Sequence, residues 1–299
     1  KNGKKTSAQH PENFRCTLVF YSDYMYTTAL INNSQSEEIM TNDSGGNGII
    51  LYEDEQHKFI WLGSEGKYRK GAVQTMQYLI IDNGRGVLLD PGGVHLFSRV
   101  VTSVSYFISV DKIDYIFFSH QDPDVSSGIA LWMGITKARI YISSLWVRFL
   151  PHFGIVDSTR FIAIPDKGMH IPLPSGARMF CVPSHFMHSP GQFGLYDERS
   201  RILFSGDIGA AVFDEDEETA FVENFEQHIP LIEGFHKRYM ANNKIVRRWA
   251  ETVRKLNPVM IAPQHGAVYK DEQVANFLNC AIISTTCFSS GALNDERKH

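Results

Sequence analysis

From about residue 49 the chain alternates short apolar runs with clusters of turn-forming residues. GIILYE and KFIWLG read as strands, and MQYLIID, NGRG and VLLDPGG read as a hairpin closed by an Asn-Gly turn. A helix is expected over 94–110, followed by IDYIFFS as a buried strand. SSGIALWMG has helical patterning, ARIYISS is a strand, and SLWVRFLPHFG is a short helix stopped by glycine. RFIAI, HIPLP, ARMFCVPS, FGLYDE and RILFSGD follow as successive short strands. One long helix is expected over 234–256, then PVMIAPQHG as a last strand and a helix from about 271. Strand-rich segments interleave with helices twice over, which predicts two packed sheets with helices outside. Residues 1–48 read as an irregular polar extension containing one strand-like run, CTLVFYSDYMY. FDEDEE at 213–218 reads as a solvated loop or helix start, and the whole of 1–299 as a single domain.

Composition narrows the partners. The 299 residues are 43% hydrophobic, enough for a large core, and the net charge of −4 argues against nucleic acid or an anionic membrane as a main partner. No apolar stretch approaches the roughly 18–20 residues of a membrane span. The start, KNGKKTSAQH, lacks the apolar centre of a secretory signal, so a cytoplasmic location is expected. Cys16, Cys181, Cys280 and Cys287 form no CxxC pair, and they read as reduced thiols rather than as a zinc knuckle or a disulfide framework.

The chemistry gathers in FFSHQDPDVSSG, which places His120, Asp122 and Asp124 at alternate positions. An extended path would turn all three to one side, and Pro123 favours such a path at Asp122. Three later residues stand beside glycine- or proline-bearing turns: His188 in HFMHSPG, Asp207 in LFSGDIG and His265 in APQHG. Three neutral imidazoles with three ionised carboxylates suit a two-metal site. Two divalent cations are neutralised by three aspartates and one bridging hydroxide, which lowers the cost of burial. A sulfur-free set suits iron or manganese and also accepts zinc. His185 is an alternative to His188, which is preferred for the Ser189-Pro190-Gly191 turn behind it. His10, His57, His95, His152, His170, His228, His236 and His299 read as core or solvent histidines.

With those residues in view, the order VLLDPGG, SHQDPD, HSPGQFGLYD, LFSGD, APQHG resembles the metallo-β-lactamase superfamily over about residues 50–270. The resemblance implies an αββα sandwich, α/β in class, with two metals at the sheet edges. Hydrolytic members read H-x-H-x-D-H, whereas an acid at the second position resembles the flavodiiron branch. That branch also shares the eighteen residues between His188 and Asp207. It implies two iron ions: His120, Asp122 and His188 at the first, Asp124 and His265 at the second, and Asp207 between them. Asp122 stands where the branch has Glu, and Val125 stands where it has His, which would leave an open apolar position. Phe186, Met187 and Phe193 flank the ligand turn and read as ordinary core residues, with the walls of a dry pocket as the alternative. The 34 residues after His265 leave no room for a flavodoxin domain, so no FMN is expected in this chain. The pattern resembles stand-alone oxygen-binding diiron proteins, some linked to bacterial chemotaxis. It implies a sensor or carrier of O2, with NO as a second candidate ligand and a signalling protein as partner. The alternatives are an O2 or NO reductase fed by a separate electron donor, and a metal-dependent hydrolase. A homodimer is carried over from the resemblance alone.

Overall fold

Apolar residues on both faces of most strands call for a layer on each side, and each strand divides its side chains between two cores. The computed structural model describes residues 48–63, 74–155, 157–213 and 219–283; the CTLVFYSDYMY run and residues 214–218 of the acidic stretch lie outside them. One sheet holds β1 (Ile49–Glu53), β2 (His57–Trp61), β3 (Tyr78–Asp82), β4 (Arg85–Leu89), β5 (Ile113–Phe117), β6 (Arg139–Ser143) and β7 (Phe161–Ile164), in that spatial order. β1 to β4 pair antiparallel and β4 to β7 parallel. The other sheet holds β8 (His170–Pro172), β9 (Arg178–Pro183), β10 (Phe193–Asp197), β11 (Ile202–Gly206), β12 (Met260–Pro263) and β13 (Tyr269–Lys270), ordered β13-β12-β11-β10-β9-β8.

Phe59, Tyr78, Phe117, Phe193 and Phe204 meet between the sheets. The alternate residues Ile60, Leu79 and Ile116 face helices α1 (Phe97–Phe107), α2 (Pro123–Ser126) and α3 (Ile129–Ile135). On the far side, Tyr196, Leu203 and Ile261 face α4 (Phe225–Tyr239), α5 (Asn243–Leu256) and α6 (Glu272–Ile283). This is the expected αββα sandwich. The expected hairpin is present: Asn83 and Gly84 carry φ of 47° and 72°, the two positive values of a type I′ turn.

Two expectations change. The single helix over 234–256 is two helices broken at Met240–Asn242, because the Asn242 side chain accepts the Ile245 N–H and starts α5 afresh. α4 begins earlier than expected, capped by Asn224, whose side chain accepts the Gln227 N–H. SLWVRFLPHFG forms a 3₁₀ helix over Val147–Phe153, ended by Gly154 in the left-handed conformation.

His57, read as an ordinary core histidine, ties the two sheets. Its Nδ1 lies 2.9 Å from Asp82 Oδ1 on β3 and its Nε2 2.7 Å from Asp197 Oδ2 on β10, all three side chains fully buried. Both partners are acceptors, so both ring nitrogens carry protons and the ring is an imidazolium. Ser175 donates its N–H and hydroxyl to Asp82, and Ser200 does the same to Asp197. Burial pulls the His57 pKa down, but the two aspartates outweigh it and the net shift is upward from 6.5. A raised folded-state pKa means the contribution is complete below about pH 6.5 and is lost as pH rises through the folded value. Urea unfolding from about pH 6 to about pH 9 should therefore show stability falling with pH in the wild type. His57→Leu should cost about 3–5 kcal/mol at the low end, because two buried carboxylates lose their cation, and should flatten that slope. An equal slope in the variant would remove His57 as the source.

Candidate metal centre

Three of the six candidate residues leave the ends of strands at one edge of the sandwich. His120 follows β5, Asp207 follows β11 and His265 follows β12. His188 lies in the turn between β9 and β10, where the Phe193 N–H donates to the Ser119 carbonyl at 2.9 Å and joins the two sheets. Gly206 has φ of +59°, and a Cβ there would stand 3.1 Å from the Ser119 side chain. Glycine thus gives the turn its conformation and lets the Asp207 strand approach the His120 loop.

Asp122 is extended (φ −62°, ψ 151°) ahead of Pro123, as expected, and its side chain makes no capping bond. Asp124 arrives differently from expectation. It belongs to the first turn of α2, so helix geometry and not strand alternation delivers it. Asp207 is almost fully buried. Its Oδ1 lies 3.6 Å from Nε2 of both His120 and His265, and its Oδ2 lies 3.5 Å from His188 Nε2. Asp122 Oδ2 lies 2.9 Å from His188 Nε2, and Asp124 Oδ2 lies 3.4 Å from His265 Nε2. All six expected residues therefore converge. His120, His188 and Asp207 bring their ligand atoms within 4.8 Å of one another.

Tautomers decide what this cluster is for. His265 Nδ1 lies 2.6 Å from the Gln74 carbonyl, which only accepts, so Nδ1 carries a proton and Nε2 is the atom left to face Asp124 and Asp207. A ring nitrogen facing carboxylate oxygens needs a cation between them, either a proton or a metal ion. His120 Nε2 and Asp207 Oδ1 are buried and have no hydrogen-bond partner among the described residues. These orphaned acceptors, in a set of nitrogen and oxygen donors without sulfur, fit divalent metal.

Titration follows the same geometry. Burial holds the His120 pKa down, which keeps the ring neutral. Burial also pulls His188 down, but its hydrogen bond to Asp122 and the charges of Asp207, Asp122 and Asp124 raise it overall. The His188 bond lowers the Asp122 pKa in turn. A proton on His188 Nε2 thus sits where metal would replace it.

Other residues were not foreseen. His120 Nδ1 lies 2.8 Å from Ser119 Oγ, and Ser119 donates both its hydroxyl and its N–H to buried Asp90. Burial pushes the Asp90 carboxyl well up, and the two Ser119 donors pull against that shift. Asp90 stood in the VLLDPGG motif, but only the tertiary fold shows its reach to His120. The loop after Asp207 is held by His236, which burial takes to about 4 and so keeps neutral: Nδ1–H donates to the Ile232 carbonyl and Nε2 accepts the Gly209 N–H. The three apolar residues that flank the turn separate. Phe186 is 51% exposed, Met187 packs among the outer helices and Phe193 lies between the sheets. Phe235 and Tyr239 of α4 face His188 instead. Val125 is fully buried in the cluster beneath α1 and α3. His185 bonds the Asp166 carbonyl and meets the Phe193 ring, apart from the six.

A family model described as ODP family beta lactamase matches residues 73–266. A solved structure of the chemotaxis sensor ODP, described as a peroxy diiron species, is 75% identical, with a TM-score of 0.72, covering 79% of this chain and 94% of that one. The apo state of ODP from T. denticola is 76% identical, with a TM-score of 0.73 and the same coverage. A flavo di-iron protein mutant from Thermotoga maritima, 20% identical with a TM-score of 0.66 over 79% of this chain and 60% of that one, shares the fold. Among curated proteins, an anaerobic nitric oxide reductase flavorubredoxin from Enterobacter sp. (strain 638) is 28% identical over 222 residues, 70% of this chain and 44% of its own length. The chain spans about half the length of the curated relatives it matches. No described helix is long and apolar enough to cross a membrane.

Ser119→Ala should weaken divalent-metal affinity by about 10–100-fold with the fold intact, since it removes the bond that orients His120. Competition against a chromophoric chelator reads this directly. Unchanged affinity would make the Asp90–Ser119–His120 chain structural only.

Proposed function

The chain belongs to the ODP family of beta lactamases, and on that premise we propose that it is a non-haem diiron protein that binds O2 and acts as a sensor in bacterial signalling. The observation that carries this reading is the donor set. Asp207 Oδ1 lies 3.6 Å from Nε2 of both His120 and His265, and Oδ2 lies 3.5 Å from His188, so this one carboxylate faces all three imidazoles. His120, Asp122 and His188 would hold the first iron, Asp124 and His265 the second, and Asp207 would bridge them. Bound there, two ferrous ions would supply an open coordination position and the electrons for binding O2. The 75% identity to a chemotaxis sensor described in a peroxy diiron state supports the same ligand and the same role.

The chain's own residues set the terms of that binding. Gln74 and Ser119 hold the His265 and His120 rings in the tautomer that presents Nε2. Gln121 donates to the second oxygen of Asp122, at 2.8 Å, and is itself held by the Ser189 hydroxyl, at 2.6 Å. Asp122 and Asp124 are each about a third exposed (34%), whereas His120 and Asp207 are buried, so a small ligand would enter from the α2 side. Electrons beyond those of the two irons would come from a separate donor, and a signalling protein would read the result. The cytoplasm is the compartment we propose, in keeping with the reduced, buried Cys181 thiol, whose pKa burial raises to about 12.

Two variants test the ligand set. His188→Ala and Asp207→Ala should each lose iron and keep the far-ultraviolet circular dichroism of the wild type; two irons per chain in both would overturn the assignment. The function is tested by loading ferrous iron under argon, admitting O2 and recording the visible spectrum. A long-lived charge-transfer band that fades on degassing is the expected result. Continued O2 uptake with a reductant would make the protein a reductase. Refusal of iron with retention of zinc would favour hydrolysis.

A further inference from the structure

Two of the three imidazoles are oriented through their second ring nitrogen, His120 by Ser119 and His265 by the Gln74 carbonyl. His188 is different. Its Nδ1 is buried and has no hydrogen-bond partner among the described residues. A metal-binding imidazole ordinarily fixes its ring plane with that N–H. Two aromatic rings pack against this imidazole. Phe235 stacks on His188 with centroids 5.7 Å apart and planes 19° from parallel, and Tyr239 lies 4.9 Å away at 58°. The two rings also pack on each other at 4.6 Å. Their i, i+4 spacing puts them on one face of the last turns of α4.

The same helix end grips the His188 turn by its backbone. The Ala241 N–H, just past α4, donates to the Phe186 carbonyl at 3.1 Å. Phe186 has φ of +63°, a conformation that a bulky residue adopts only when its surroundings enforce it. The break between α4 and α5 makes this grip available: a continuous helix through 240–242 would commit the Ala241 N–H to its own ladder.

We propose that Phe235 and Tyr239 are positioning residues for His188, holding the plane of the imidazole by ring contact in place of the missing hydrogen bond. The inference rests on the diiron reading only in taking His188 as a ligand. The aromatic face is what matters, so the Tyr239 hydroxyl is dispensable. Both rings are partly exposed, with Tyr239 at 45%, so the fold does not rest on either.

The experiment uses Co2+, whose visible ligand-field band reports geometry without O2. Phe235→Leu and Tyr239→Leu should each lower affinity at one of two sites by about tenfold and change the intensity of the band. Tyr239→Phe should restore both to wild-type values. In a His188→Ala background the leucine substitutions should add nothing, because the rings act through that residue. Wild-type affinity and band in the leucine variants would overturn the proposal. So would a Tyr239→Phe variant as weak as Tyr239→Leu, or a further tenfold loss in the His188→Ala background. A wild type that binds two Co2+ with the expected variant pattern, yet binds no O2 when loaded with ferrous iron, would sink the sensing reading and uphold the ring contact. A wild type that binds no Co2+ would overturn both.

Discussion

A neutral imidazole cannot stably aim its lone pair at a carboxylate oxygen inside a protein. At His265 the Nδ1–H is engaged by the Gln74 carbonyl and Nε2 faces Asp124 and Asp207 at 3.4 and 3.6 Å, a mismatch that only a proton or a metal ion on Nε2 resolves. Much of the local architecture maintains this mismatch. Gly206 lets the Asp207 strand come close, and Ser119 holds His120 in a matching orientation. His236 fixes the loop beyond Asp207, and it can do so as donor and acceptor at once only because burial keeps it neutral. A metal ion meets the same demand as a proton on Nε2 and competes with it for that place.

The two ends of the sandwich solve the same problem in opposite ways. At one end His57 meets Asp82 and Asp197, and both ring nitrogens point at carboxylates. A proton on each nitrogen satisfies that group, with serine donors completing the shell, so it needs nothing from outside. At the other end the second nitrogens of His120 and His265 are engaged by neutral groups, a hydroxyl and a carbonyl. Only one nitrogen per ring is left to face the acids. The difference between an internal ion pair and a metal-binding cluster therefore lies in what the outer nitrogen touches, and the same residue types serve both.

That distinction also marks how far the sequence could be read. The hairpin through Asn83-Gly84, the alternating strands and the six converging side chains follow from local patterns: turn chemistry, apolar runs, and histidines or aspartates beside glycine and proline. His57 carried no such mark, because its partners lie 25 and 140 residues away. Gln74 acts through its backbone carbonyl, which any residue could supply, so its side chain gives no signal. The helix over 234–256 was misread because good helix formers run through Met240–Asn242, while the Asn242 cap and the Ala241 bond to Phe186 break it only in the tertiary context. Met187 and Phe193 are core residues, as their apolar character suggests, whereas Phe186 is exposed, because neighbouring residues in a tight turn point to different layers.

The surroundings of the cluster are unequal, and this bears on what can reach it. His120, His265 and Asp207 are backed by packed strands, and Phe235 and Tyr239 lean on the His188 side. Among the six, Asp122 and Asp124 face solvent most, one just before the short helix α2 and the other in its first turn. The two aspartates therefore mark the more open side of the cluster, and the α4 rings the side that is covered. Val125 adds nothing to the open side, since it is fully buried among the helices on the outer face of the first sheet. Whatever distinguishes this centre from one with a histidine at that position thus comes from a donor the site lacks, and not from an apolar wall that Val125 would supply.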